Sequence, residues 1–483
     1  MTPAPAADPD STPSAAARSD FPTWLPPMFV KELRQGLRTR GFVGAFVVFQ
    51  IIMALTLVGT VASAWSSSGG GVPSNAATNG FFWTLLTIQL LLVTPARALG
   101  SLKTEIDSRS LDLLLLTRLT AWRIVAGKWL SLVAQAGLLL VAMAPYGIVR
   151  YFTGSVDLVA DAGHGALLFG GCAVATALCL WASGIPRVLQ VVITIAVVFG
   201  NQLFNVMGRG VSVFFGAMDA MLWTFDGALA LVFFLTASVR RIAPLAENHA
   251  LLARGLPLLA LAPVGIWGAW VTPRAGLAQW VFAGFFLALV CAVELIDARA
   301  PRAAHWQAWA KHGPLARCVG RLFLPGWPSA LAFAVVAALG LCIALWLVPG
   351  LPATEAARLP WLVVLGLGAL VFPVVIMALF EGVSARAPGL WFIAIFGALS
   401  LLAALAAGAD AMFGKGYVAL KGLASVLPVS SFWLSLGESN LSTPERVGQG
   451  AMVAVLVFAA WAQSRPYWRG VTLLGTRGRL GKP

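Results

Sequence analysis

Charge is what this sequence has least of. Asp, Glu, Lys and Arg together make 11% of 483 residues, where a soluble domain carries roughly 25%. With 59% hydrophobic residues and a mean hydropathy of +0.85, that scarcity excludes an ordinary soluble chain. Soft metal ligands are scarce as well. The five cysteines (Cys172, Cys179, Cys291, Cys318, Cys342) form no C-x-x-C pair, and four lie in or at the ends of apolar runs. Neither a disulfide framework nor a zinc site is expected of them. A phosphate-cradling G-x-x-x-x-G-K-[ST] loop is missing too. The nearest stretch, Gly408 to Gly416, places its Gly-Lys one residue late and follows it with Gly416. The chain therefore has no ATP site of the usual kind.

What is present is a series of apolar runs. A helical membrane span needs about 20 such residues, and twelve candidates are found: 42–65, 81–102, 128–149, 165–184, 188–207, 216–239, 256–271, 277–296, 329–348, 361–380, 389–407 and 448–461. The seventh and twelfth are short. The expected fold is an all-α polytopic helical bundle. Residues 1–27, mostly Ala, Pro, Ser, Thr and Asp, bury too little to offset their ordering and are expected to form a disordered cytoplasmic tail. The first apolar run starts at Phe42 and is long enough to span, so no cleaved signal is expected. An interfacial helix is expected over 28–41, an amino-terminal membrane region over 42–255 with a cytoplasmic loop at 103–127, a carboxy-terminal membrane region over 256–464, and a basic cytoplasmic tail over 465–483.

The formal net charge is +14. In a soluble protein this would point to nucleic acid, but membrane proteins concentrate Lys and Arg in cytoplasmic loops. With the amino terminus inside, 26 of the 33 basic residues fall on the cytoplasmic side. The other seven, Arg150, Arg209, Arg274, Arg358, Lys415, Lys421 and Arg446, fall outside. The excess reports orientation, with both termini cytoplasmic in the inner (plasma) membrane and no nucleic-acid partner. No systematic internal repeat divides the chain into matching halves.

Two segments depart from plain topology. In Phe29-Val-Lys-Glu-Leu-Arg-Gln-Gly-Leu-Arg-Thr-Arg40, Phe29, Leu33 and Leu37 recur every four residues, while Lys31, Arg34 and Arg38 take other faces. This is an amphipathic helix suited to the cytoplasmic interface. The first cytoplasmic loop mixes Glu105, Asp107 and Asp112 with Arg109, Arg118 and the cluster Leu111 to Leu116. Leucines there are unfavourable unless lipid or a partner protein meets them, so the loop reads either as a docking surface or as an interfacial helix.

This loop resembles the cytoplasmic loop of ABC-2 type permeases, the membrane subunits of ATP-binding cassette exporters. Glu105 and Asp107 match the acidic pair, Ser110-Leu-Asp-Leu-Leu-Leu-Leu-Thr117 the centre, and Leu119-Thr120 with Ile124-Val-Ala-Gly-Lys128 the remainder. Arg109 stands where the family often has Gly, and Arg118 where it has Pro. Lys31-Glu-Leu-Arg34 is similar to the family's elbow helix, and Leu427-Pro-Val-Ser-Ser-Phe-Trp-Leu-Ser435 to its outer gate segment. The likeness runs chiefly from Lys31 to about Tyr151, and twelve spans exceed the six usual for one such subunit. The resemblance implies that the loop couples a cytosolic ATPase, present in two copies, to the spans. Glu105, Asp107, Arg109, Leu111, Asp112, Leu114, Leu115, Thr117, Arg118, Gly127 and Lys128 would form the coupling segment, with Lys31, Glu32, Arg34 and Arg38 on the elbow. It implies no catalytic residue, metal or cofactor in this chain, since ATP and Mg would sit on the partner. A homodimer or a second permease subunit stays open.

Two other classes compete. A membrane enzyme for lipid-linked substrates would want carboxylates or a metal site on the outer face. The first outer loop, 66–80, has no ionisable residue, and Asp157, Asp161 and His164 are the best remaining candidates. An ion-coupled carrier would place ionisable groups inside spans; Asp226 is the candidate pathway residue, with Asp219, Glu294 and Glu381 nearer the ends. Trp306 and Trp309 are expected in an interfacial belt.

Overall fold

The computed structural model describes residues 26–66, 76–101, 120–152, 157–183, 217–244, 247–270, 273–297, 299, 301–351, 353–380, 388–413, 425–437 and 443–480. The described residues are helical apart from their turns and contain no strand. Lipid requires this, because its core offers no water to backbone amides and carbonyls, and a helix satisfies them within one segment. By packing, the chain falls into two units, Met1–Ser183 and Gly184–Pro483.

Eight of the twelve expected spans lie on helices long and apolar enough to cross a membrane: Arg40–Gly59, Gly80–Gly100, Ala121–Phe152, Leu158–Ala182, Gly276–Leu295, Trp327–Trp346, Glu355–Leu379 and Pro388–Ala406. The chain is a multi-pass helical membrane protein. The other four expected spans differ from these. The fifth lies outside the described residues. The sixth corresponds to a 26-residue helix, Ala217–Ile242, that is not among the eight. The seventh is a short apolar helix, Ala250–Ile266, with a tightened turn at Leu259–Leu261 following Pro257; proline withholds a helical donor and crowds the preceding turn. The twelfth is a helix pair bent by 42° between Gln463 and Arg465, which makes a ninth span if counted as one.

In the first unit, α1 (Pro27–Arg38) leads into α2 (Arg40–Ser66) and α3 (Ala76–Ile88). The chain then runs through a wide π-helical turn at Gln89–Val93, a short helix at Thr94–Ala96 and a tightened turn at Arg97–Gly100. The Thr94 hydroxyl donates to the Gln89 carbonyl five residues back, at 2.9 Å, closing the wide turn. Helices α4 (Ala121–Ala142), α5 (Ala144–Phe152) and α6 (Leu158–Ala182) complete the unit. Its core joins Phe49 and Met53 of α2, Phe82 and Leu86 of α3, Leu90 of the wide turn, Ala136 and Leu139 of α4, and Cys172 of α6. Val43, Val47, Val48, Ile51, Leu55 and Val58 of α2 remain exposed. A lipid-facing stripe accounts for them, since lipid tails solvate such side chains as well as a protein core does.

The second unit comprises α7 (Ala217–Ile242), α8 (Ala250–Leu258), α9 (Ala262–Trp270), α10 (Pro273–Leu295), α11 (Ala303–Ala310), α12 (Pro314–Leu322), α13 (Trp327–Trp346), α14 (Ala353–Leu379), α15 (Pro388–Phe413), α16 (Pro428–Gly437), α17 (Thr443–Gln463) and α18 (Arg465–Leu480). Leu295, Leu331, Val371, Val374, Phe392 and Ala460 form one core. Trp306, Leu324 and Val471, with Tyr467 and Trp468 packed against them, form a second. Trp306 is thus buried in this core and does not face a membrane interface as expected, while Trp309, half-buried, stacks on Phe323 with centroids 6.0 Å apart.

Candidate functional site

The segment that carries the sequence resemblance, including Glu105, Asp107, Arg109, Leu111, Asp112, Leu114, Leu115, Thr117 and Arg118, lies outside the described residues. The residues that flank it are described. The chain leaves at Ser101, whose hydroxyl donates to the Ala98 carbonyl at 2.9 Å, and returns at Thr120. Thr120 has extended backbone, and its hydroxyl accepts from the Arg123 amide at 3.4 Å, which starts α4 at Ala121. Residues 121–127, expected in the loop, are therefore the first turns of a helix, because threonine at this position satisfies an amide with no partner inside the helix.

Helix α1 packs against this same end of α4. Met28 and Phe29 are buried at the contact. A Cβ built on Gly127 would lie 3.2 Å from the Met28 side chain and 3.4 Å from the Phe29 amide, so the close approach depends on glycine. Lys128, only 4% exposed, sets its Nζ 3.2 Å from Oε1 of Glu32. A lysine buried at this depth needs its partner, because an isolated ammonium in an apolar setting is strongly disfavoured. Lys31, Arg34 and Arg38 are exposed on the opposite side of α1. Of the expected site residues, Glu32, Gly127 and Lys128 are thus brought together.

Two turns further along α4, Arg97 donates to Gln135 Oε1 at 2.6 Å and lies 5.0 Å above the Phe42 ring. Gln135 is 1% exposed, and the same small cavity is lined by Gln89 and Thr94 of the wide turn. Arg97 falls among the cytoplasmic-side cations of the charge tally although it lies near the end of the second expected span, and Gln135 carries no expectation. A polar residue in the middle of an apolar run was the available signal, since such a group must find a partner in lipid.

The outer-face candidates have separate structural roles. Asp157 accepts from the Val159 and Ala160 amides at 2.9 and 3.4 Å and caps α6. Asp161 pairs with Arg150 at 3.0 Å, and Arg150 lies 4.0 Å above the Phe82 ring. His164 packs edge-on against Trp83. In the second unit, Asp226, 3% exposed, accepts from Gln279 Nε2 at 2.9 Å and so ties α7 to α10. Asp219 and Glu381 have no described side-chain surroundings.

The densest polar cluster among the described residues was legible only as scattered charges. Glu294, 1% exposed, accepts from Arg254 Nε at 2.7 Å and pairs with Arg240, which also pairs with Asp297. Arg254, fully buried, donates further to the Leu322 carbonyl at 2.6 Å and to Ser329 Oγ at 2.7 Å. Arg299 donates to the Arg240 carbonyl at 2.6 Å. Arg240 and Arg254 were expected in loops as topological charges, yet both are buried ligands of one carboxylate. Among the described residues no three His, Cys, Asp or Glu side chains converge as a metal site. No family model, curated protein or solved structure matches the chain.

Proposed function

We propose that this chain is the membrane permease subunit of an ATP-binding cassette exporter, driven by a separate cytosolic ATPase present in two copies. The observation that carries the proposal is the seam between α1 and α4. An amphipathic helix with the elbow-like sequence Lys31-Glu-Leu-Arg34 is fixed by Met28, Phe29 and the Glu32–Lys128 pair to the turns that follow residues 102–119. A push on that segment would reach the elbow and the third span together, as coupling requires. In this reading Glu105 to Arg118 dock on the ATPase, which binds ATP and Mg, while Gly127 and Lys128, buried against α1, tie that segment to the first helix, and closure of the nucleotide sites switches the spans between inward- and outward-facing states. The chain has up to twelve spans and both termini in the cytoplasm of the plasma membrane. A homodimer or a second permease subunit completes the pathway.

The test is co-purification from native membranes of tagged wild-type protein and of Asp112→Lys and Leu114→Glu. Vanadate-sensitive ATPase activity should follow the wild-type protein and be lost from both variants while their membrane insertion is unchanged. Equal activity with all three would sink the docking assignment.

A further inference from the structure

In α12, Leu315, Cys318, Val319 and Leu322 recur at the spacing of one helical face. Leu315 is 80% exposed, Val319 39%, and Cys318 is exposed. A nine-residue helix is marginal in water on its own. This one is held firmly at its end: the Arg321, Leu322 and Phe323 carbonyls accept from Ser329 Oγ at 2.6 Å, Arg254 at 2.6 Å and Asn248 Nδ2 at 3.0 Å. The helix is therefore positioned from the buried charge cluster while its apolar face is left uncovered.

Two observations name what covers it. The span α13 begins at Trp327, five positions after α12 ends, so α12 sits at the level where a span leaves the hydrocarbon. The charge is of one sign. Residues 298–354 contain no Asp or Glu, while Arg302, Lys311, Arg317 and Arg321 are exposed. The neighbouring α18, packed on α11, adds exposed Arg465 and Arg469 from a stretch, 446–483, that is also free of acids. Long basic side chains beside an apolar face match anionic headgroups above acyl chains.

We infer that α12 is a membrane-surface docking helix, with Leu315, Cys318 and Val319 inserted at the acyl boundary and Arg317 and Arg321 on anionic lipid headgroups. The inference stands apart from the export proposal.

Cys318 provides the probe. Cys172, Cys179 and Cys291 are buried, so in a full-length Cys342→Ser protein an environment-sensitive fluorophore goes to Cys318. In vesicles of phosphatidylcholine with phosphatidylglycerol, its emission should shift to the blue and be quenched by brominated acyl chains. Pure phosphatidylcholine should give weaker quenching, and Arg317→Gln with Arg321→Gln should reduce the mixed-vesicle signal to that level. Leu315→Ser with Val319→Ser should abolish it. Emission characteristic of water in both vesicles overturns the inference, as does quenching indifferent to phosphatidylglycerol. Protection that follows the protein-to-lipid ratio assigns the face to a second copy and overturns it equally.

Discussion

Lys128 Nζ lies 3.2 Å from Oε1 of Glu32 across 96 positions of sequence, joining α1 to the third span at its amino-terminal end. The two side chains are 5% and 21% exposed, so removing one leaves the other largely desolvated without its counter-charge. Glu32→Ala should then lower stability by about 1–3 kcal/mol, chiefly through the stranded ammonium. Glu32→Ala combined with Lys128→Met should recover part of that loss. Thermal unfolding of the four proteins in one detergent measures the coupling, and additive losses would show that the pair holds nothing together.

Glu294 is shared by Arg240 and Arg254. Breaking a buried, hydrogen-bonded ion network by removing one member typically costs about 3–5 kcal/mol. Glu294→Gln should fall in that range, since an amide cannot compensate two guanidinium groups. Asp297→Asn should cost less, because this carboxylate is 12% exposed and Arg240 keeps Glu294. Unfolding temperatures of the two variants set the order, and an equal or reversed loss would contradict it.

Gly326 has φ +110° and ψ 154°, a region essentially restricted to glycine. A Cβ there would lie 2.5 Å from the Arg299 carbonyl oxygen, and the Gly326 amide donates to Asp297 Oδ2 at 3.2 Å. Gly326→Ala therefore combines backbone strain of about 1–3 kcal/mol with a clash against backbone that cannot rotate away. Poor recovery of folded protein is expected, with Gly350→Ala, also at positive φ, as the comparison. Wild-type yield and unfolding temperature for Gly326→Ala would refute the strain argument.

Local signals in the sequence were retained and distant ones were lost. Eight spans could be placed, all within a few residues save for the tenth, which starts six residues early at Glu355, and for the third and fourth, where Ala121 and Leu158 begin their helices about two turns early, because hydropathy belongs to a window of neighbouring residues. The early starts of the third and fourth come from caps, Thr120 and Asp157, which window averaging does not register. Arg254 looked like a topological charge because its partner Glu294 is 40 positions away and the carbonyl it caps, Leu322, is 68 away. The amphipathic face of α1 was legible, but its attachment was not, since a glycine at 127 becomes meaningful only once Met28 is known to lie against it.

Asp226 separates two functional classes. Its carboxylate accepts from Gln279 in a contact buried between α7 and α10. If that bond is its role, Asp226→Asn keeps an acceptor of the same size, and stability should stay close to that of wild type. Asp226→Leu strands the Gln279 amide and should cost about 1–3 kcal/mol. An ion-coupled carrier would instead depend on the charge, so Asn would abolish its function as thoroughly as Leu. Unfolding measurements on both variants, combined with growth or export phenotypes in cells lacking the native copy, distinguish the cases. A folded Asp226→Asn protein with complete loss of function would move the assignment to the ion-coupled class.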